Sequence, residues 1–315
     1  MLSRIAESVF WIGRYLERAD GTARILDVHL QLLLEDPWMD EDSANRSLLN
    51  IMGTPVPDDH TTPVGREDVL AQFAYVDGPG SIAGSLLAAR ENARRAREAV
   101  STEMWETLNT TRNEIIRGRW QSRSPHRFFA WVRERVAAVT GITDATMSRD
   151  QVWNFLELGR SIERADMTAR LLASQDVRGN SAFGWQLVLR SCGAHEAYLR
   201  TYGAAASEDR AAEFLLMDRL FPRSVVFALL TADRCLAQLS SDETLWASRL
   251  IARDDARHML GRARTDLEYR ELKEVLSDLA THMDTVQRIC SAASDAVSRR
   301  YFPRGIALSW VKEVS

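Results

Sequence analysis

From Ile5 onward apolar residues return every third or fourth position: Ile5, Val9, Ile12, Leu16, Ala19, Ala23, Leu26, Leu30 and Leu33. That spacing draws one continuous stripe along a long helix, which Asp36-Pro37 ends. Pro37, Pro55, Pro57 and Pro63 mark a loop-rich stretch with a short helix near 44–52. Asp77-Gly-Pro-Gly-Ser81 stops and restarts the chain, with Ser81 as N-cap of a helix to about Val100. Further helices are predicted from Ser101 to about Trp120 and from Pro125 to about Thr140. Ser148-x-x-Gln151 has the form of a capping box in front of another long helix to about Ser174. Helical spacing continues near 181–203, 208–219, 222–239, 243–266 and 268–301, and no run alternates with the period of two that a strand requires. The expected fold is all-α, a helical bundle.

The long first helix returns later in the chain. Gly13-Arg-Tyr-Leu-Glu-Arg-Ala-Asp-Gly-Thr-Ala-Arg-Ile-Leu26 matches Gly159-Arg-Ser-Ile-Glu-Arg-Ala-Asp-Met-Thr-Ala-Arg-Leu-Leu172 at ten of fourteen positions. The apolar stripe repeats with it, and a fainter echo links Ser81-Ile-Ala-Gly-Ser-Leu-Leu-Ala-Ala to Ser224-Val-Val-Phe-Ala-Leu-Leu-Thr-Ala in the same order. This reads as a tandem duplication with halves 1–147 and 148–315. Either half alone would make a small core, so the two are expected to share one domain.

Composition agrees with helices and narrows the chemistry. The 315 residues include only 16 glycines and 8 prolines, few helix breakers for that length. Forty basic residues stand against 44 acidic ones, and no long run is basic enough to suggest nucleic-acid binding. Only Lys273 and Lys312 are lysines, and neither follows a Gly-rich loop of the kind that grips phosphate. Cys192, Cys235 and Cys290 are spaced neither as a zinc site nor as a disulfide framework. Arg4 and Glu7 interrupt any secretory h-region, and no stretch reaches the roughly 20 apolar residues of a membrane span. A cytoplasmic protein is expected.

The repeated motif carries the most chemistry. On a helix Gly13, Glu17, Asp20 and Arg24 form one stripe, with Arg14 and Arg18 beside it. Gly159, Glu163, Asp166 and Arg170 repeat that stripe, flanked by Arg160 and Arg164. If the helices cross about a pseudo-two-fold axis, Glu17 would face Arg164 or Arg170, and Glu163 would face Arg18 or Arg24. Such pairs either fix helix register in a core or line a shared cleft for a zwitterionic or amide-bearing ligand. A second dense segment places Arg90, Glu91, Asn92 and Arg94 on one helix before Trp105. It reads as a solvated, ion-paired helix face or as a second part of the same site.

Other chemistries lack their signatures. Carboxylate-bridged metal bundles need Glu-x-x-His pairs; the chain has none, and Asp255-x-x-His258 and His195-Glu196 are single, non-equivalent approaches. Neither Gly-x-Ser-x-Gly nor a phosphate loop is present. No metal or cofactor is expected, and the cysteines read as core residues.

With the doubled motif in hand, the chain resembles the alpha-E family, bacterial all-helical proteins named for a Glu-Arg motif. The resemblance runs from Tyr15-Leu-Glu-Arg-Ala-Asp20 through Ala89-Arg-Glu-Asn-Ala-Arg94, Glu103-Met-Trp-Glu106 and Thr143-Asp-Ala-Thr-Met-Ser-Arg-Asp150. It continues through the second motif and Phe221-Pro-Arg-Ser-Val225 to Tyr301-Phe302. The resemblance implies company: such proteins are encoded beside, or fused to, a circularly permuted ATP-grasp protein, often with a transglutaminase-like peptidase. It therefore implies a non-catalytic helical accessory that binds or presents the ligase or product of a peptide- or amide-bond-forming system. The alternative is an enzyme of amide or amino-acyl chemistry that uses the paired Glu-Arg motifs.

Overall fold

A computed structural model describes residues 1–56, 63–78, 80–175, 184–203, 207–241 and 255–303. Regular structure among them is helical throughout, with no strand. The first long helix is α1 (Ser3–Glu35), followed by α2 (Glu41–Ile51), α3 (Arg66–Leu70), α4 (Ile82–Arg95), α5 (Thr102–Arg117) and α6 (Pro125–Thr146). The second long helix is α7 (Gln151–Ala173), followed by α8 (Trp185–Ser191), α9 (His195–Tyr202), α10 (Glu208–Met217) and α11 (Val225–Ser241). After the undescribed residues 242–254 come α12 (Asp255–Tyr269), α13 (Leu272–Ser277) and α14 (Leu279–Tyr301). No helix among the described residues is long and apolar enough to cross a membrane.

Capping chemistry sets many of these boundaries. The Ser81 hydroxyl accepts from Gly84 N at 2.9 Å at the start of α4, and Ser101 accepts from Met104 N at 3.2 Å at the start of α5. The N-cap of α7 is Asp150, not Ser148: its carboxylate accepts from both Val152 N (2.9 Å) and Trp153 N (3.3 Å). A charged acceptor two residues closer to the helix displaces the capping box that the spacing suggested. Three expected helices are also broken or shortened. The 82–100 segment stops at Arg95 to leave a turn before the Ser101 cap. The 181–203 segment divides at Gly193, whose φ of +61° no helix permits. The 268–301 segment divides at Asp278 (φ −143°).

Helices α1 and α7 cross at the centre, and their neighbours are exchanged in kind. Around α1 lie α4 and α6; around α7 lie α11 and α14. The short helices reach across: α2 packs on α7 and α8 packs on α1. The crossing itself is at the two repeated glycines. A Cβ on Gly13 would overlap the Leu156 carbonyl oxygen, and a Cβ on Gly159 would overlap the Phe10 carbonyl oxygen. Each glycine therefore meets the backbone three residues before the other, so the helices touch backbone to backbone.

Flanking the glycines, Val9, Ile12, Ala19, Ala23 and Leu26 are buried against Phe155, Leu158, Ile162, Ala165 and Leu172 in one continuous core. Burial of that apolar surface, at roughly 25 cal/mol per Å², is what holds the charged groups of the motif inside the protein.

Candidate functional site

The motif side chains are buried, and they pair across the crossing. Arg164 Nε lies 2.9 Å from Glu17 Oε2. Arg18 donates to both oxygens of Glu163, from Nε at 2.6 Å and from Nη2 at 3.1 Å. Glu17 and Glu163 are 2% and 1% exposed, so both carboxylates are out of bulk water. Arg24 and Arg170, the other partners that the spacing allowed, turn back on their own helices. Arg24 Nε donates to Asp20 at 2.8 Å, and Arg170 Nε donates to Asp166 at 2.7 Å.

A second cation completes each glutamate, and here the two sides differ. Glu163 receives Arg14 Nε at 2.6 Å. Arg160, the counterpart of Arg14, bonds instead to Glu157 at 2.9 Å, because position 157 is a carboxylate where the first motif has Trp11. Arg14 lies over that Trp11 ring, 5.6 Å from its centroid. Glu17 is completed from elsewhere: Arg223 reaches it through Nη1 at 2.5 Å and bridges to Asp20 through Nη2, also at 2.5 Å.

Arg223 is the functional residue that motif reasoning missed. It precedes Ser224, the residue that echoes Ser81, so it stands where the other half of the sequence has Gly80. Laying the two serine segments side by side would have exposed the difference.

The buried carboxylates respond to these partners. Burial alone would raise Glu17, but the guanidiniums of Arg164, Arg223 and Arg160 outweigh it and hold its pKa at about 2. Burial likewise opposes ionisation of Glu163, and Arg14 and Arg18 overcome it, lowering its value. Asp166 moves the other way: burial raises it, and Arg170 only partly offsets the effect.

A carboxyl depressed in the folded state stabilises fully above its unfolded value, and that stability is lost as pH falls through the folded value. Stability is therefore expected to fall between pH 4.5 and about 2, by on the order of 3 kcal/mol from Glu17 alone. Urea midpoints measured across that window check it, and Glu17→Gln should flatten the profile.

The thiols offer no nucleophile. Burial pushes Cys192 and Cys235 up to about 12 and raises Cys290 as well. No three His, Cys, Asp or Glu side chains among the described residues come together as a metal site. His258 instead lines an open surface groove with Arg257, Arg262 and Tyr269, away from the motif.

The segment from Arg90 to Arg94 forms its own cluster. Arg90 donates to Asn109 at 2.8 Å and lies over the Trp105 ring, 4.8 Å from its centroid. Glu91 pairs with exposed Arg94 at 2.7 Å, and Asn92 donates to the Ala88 carbonyl at 2.9 Å. Arg97 falls beyond the end of α4 and reaches the Trp105 ring from the following turn.

An all-helical domain organised around two interlocked Glu-Arg stripes is the class that this geometry defines. The chain belongs to the Alpha-E family, described as a predicted alpha-helical domain with a conserved ER motif, whose family model matches residues 1–302. An uncharacterized protein of Mycobacterium bovis is 25% identical over 252 residues, covering 72% of this chain and 28% of that protein. Uncharacterized proteins of two Mycobacterium tuberculosis strains match to the same extent. The chain thus spans little more than a quarter of the length of these relatives. No solved structure matches the chain significantly.

Proposed function

We propose that the protein is a non-catalytic helical accessory that binds or presents the ligase or the product of an ATP-grasp peptide- or amide-bond-forming system in the cytoplasm. The observation that supports this reading is the engagement of Glu17 and Glu163. Each is buried, ionised and held by two arginines. A general acid or base needs a pKa near the working pH and a reachable proton; carboxylates depressed by two guanidiniums serve instead to lock helix register. The alternative, amide or amino-acyl catalysis by Glu17 and Glu163, loses support for the same reason.

The ATP-grasp partner, and a transglutaminase-like peptidase beside it, come from the family resemblance. The much greater length of the mycobacterial relatives accords with a domain that works alongside others. Reciprocal packing of α1 and α7 also favours an origin by duplication. The test is co-purification: an ATP-grasp protein encoded nearby should be retained by the tagged chain and lost from a strain lacking it. A ligase that neither binds the chain nor changes turnover when it is added would overturn the proposal.

A further inference from the structure

The two sides of the crossing can be laid on each other residue by residue, and one residue breaks the match. Thr168 and Thr22 are equivalent, as are Cys192-Gly193 and Met52-Gly53, which end α8 and α2 in the same way. Gly193 and Gly53 both have positive φ, +61° and +69°. Each also gives its place to a motif arginine of the opposite side: a Cβ on Gly193 would lie 2.8 Å from Arg24, and one on Gly53 would overlap Arg170.

On the Glu17 side, Arg223 fills the remaining space. Its guanidinium bridges Glu17 and Asp20, and the Thr168 hydroxyl donates to its carbonyl at 2.9 Å. On the Glu163 side the equivalent residue is Gly80, and a Cβ there would meet nothing within 4 Å. In place of the arginine side chain lies a pocket of about 280 Å³, with the pairs Asp166–Arg170 and Glu163–Arg18 and the Thr22 side chain in its wall, and Met52, Phe73 and Met167 as apolar surface.

Two polar groups in that pocket are short of partners. Asp20 is paired with both Arg24 and Arg223, whereas Asp166 pairs only with Arg170 among the described residues. Thr22 is fully buried, and its hydroxyl has no hydrogen-bond partner among the described residues. A buried hydroxyl left unpaired costs free energy that a ligand can recover. An anion is a poor fit, because Arg18 is already held at two points by Glu163 and Arg170 is committed to Asp166.

We infer that this pocket binds a guanidinium carried on an aliphatic stem, seated on Asp166 beside Glu163 as the Arg223 guanidinium is seated on Asp20 and Glu17. The Thr22 hydroxyl, unpartnered among the described residues, is a further acceptor. The stem would lie against Met52, Phe73 and Met167. The head would add to Asp166 the second charge-assisted pair that Asp20 already has. The inference rests on the pocket alone and holds whether or not the protein works beside a ligase.

Calorimetric titration of the full chain with N-butylguanidine, and with its neutral isostere N-butylurea, tests it. Saturable binding of the guanidine, roughly tenfold or more tighter than the urea, is expected from a charge-assisted contact. Nα-acetyl-arginine methylamide separates the sources. Binding at least as tight as that of butylguanidine assigns the site to an arginine side chain of a peptide, and exclusion assigns it to a free small molecule. Asp166→Asn should abolish the preference for the guanidine, and Thr22→Val should weaken binding several-fold. Asp20→Asn should leave affinity unchanged, since Arg223 occupies that side. Should Asp166→Asn fail to fold, Thr22→Val decides. Equal binding of guanidine and urea, no binding of either to folded protein, or no effect of Thr22→Val would overturn the assignment.

Discussion

Gly13→Ala is expected to destabilise the protein by about 3 kcal/mol or more, although alanine is the better helix former at almost any helical position. The added methyl would occupy the place of the Leu156 carbonyl oxygen, and a backbone atom cannot turn aside as a side-chain end can. The two helices must separate along their whole contact, which loosens the buried ion pairs and the core together. Gly159→Ala should behave alike, because its methyl would meet the Phe10 carbonyl. Gly141→Ala supplies the control: it is an exposed position on α6 with nothing within 4 Å of the new methyl, and should stabilise by about 0.5–1 kcal/mol. Urea melts of the three variants give the comparison. If Gly13→Ala and Gly141→Ala shift stability in the same direction, the backbone contact at the crossing is not what positions the motif.

Replacing Glu163 by Gln should cost about 3–5 kcal/mol, a large part of the roughly 5–15 kcal/mol that holds a typical domain folded. The loss comes less from the missing attraction than from what remains, since Arg14 and Arg18 would keep their charges in a place with no carboxylate to receive them. Glu17→Gln strands Arg164 and Arg223 in the same way. A double-mutant cycle between Glu163 and Arg18 should return a coupling of about 0.5–3 kcal/mol. One between Glu163 and Arg24 should return close to zero, because Arg24 is spent on Asp20. Equal coupling in both cycles would mean that the charges act as a diffuse field, not as defined pairs.

Much of this arrangement was legible in the chain itself. A helix is a local structure, so apolar spacing marked α1 and α7 well, and Ser81 announced its cap through the hydrogen bond that a short hydroxyl side chain makes. Duplicated stripes with a glycine at equal positions pointed to a crossing with Glu17 near Arg164 and Glu163 near Arg18. Sequence could not choose between partners six residues apart on the same helix, and Arg24 and Arg170 looked as able as the residues that pair. Nor could it assign Arg223, which lies some 200 residues from Asp20 and joins it only because α11 packs on α7, where Thr168 holds the Arg223 backbone. The separate Arg90 cluster illustrates the same limit: charge density along a helix says nothing of which neighbour it will meet, and Trp105 on α5 claims Arg90.

Cys192, Cys235 and Cys290 give the molecule three internal clocks. A thiol buried to this degree reacts with an alkylating reagent only while the surrounding helices have opened, so its labelling rate counts excursions from the native state. Cys192 sits within the influence of Arg223 and Arg24, and Cys290, on α14, within that of Asp166 and Arg14. Each side of the crossing thus carries its own timer, while Cys235 on α11 lies under that of Glu157. Mass spectrometry of partially alkylated protein would show whether the two sides breathe together or in turn.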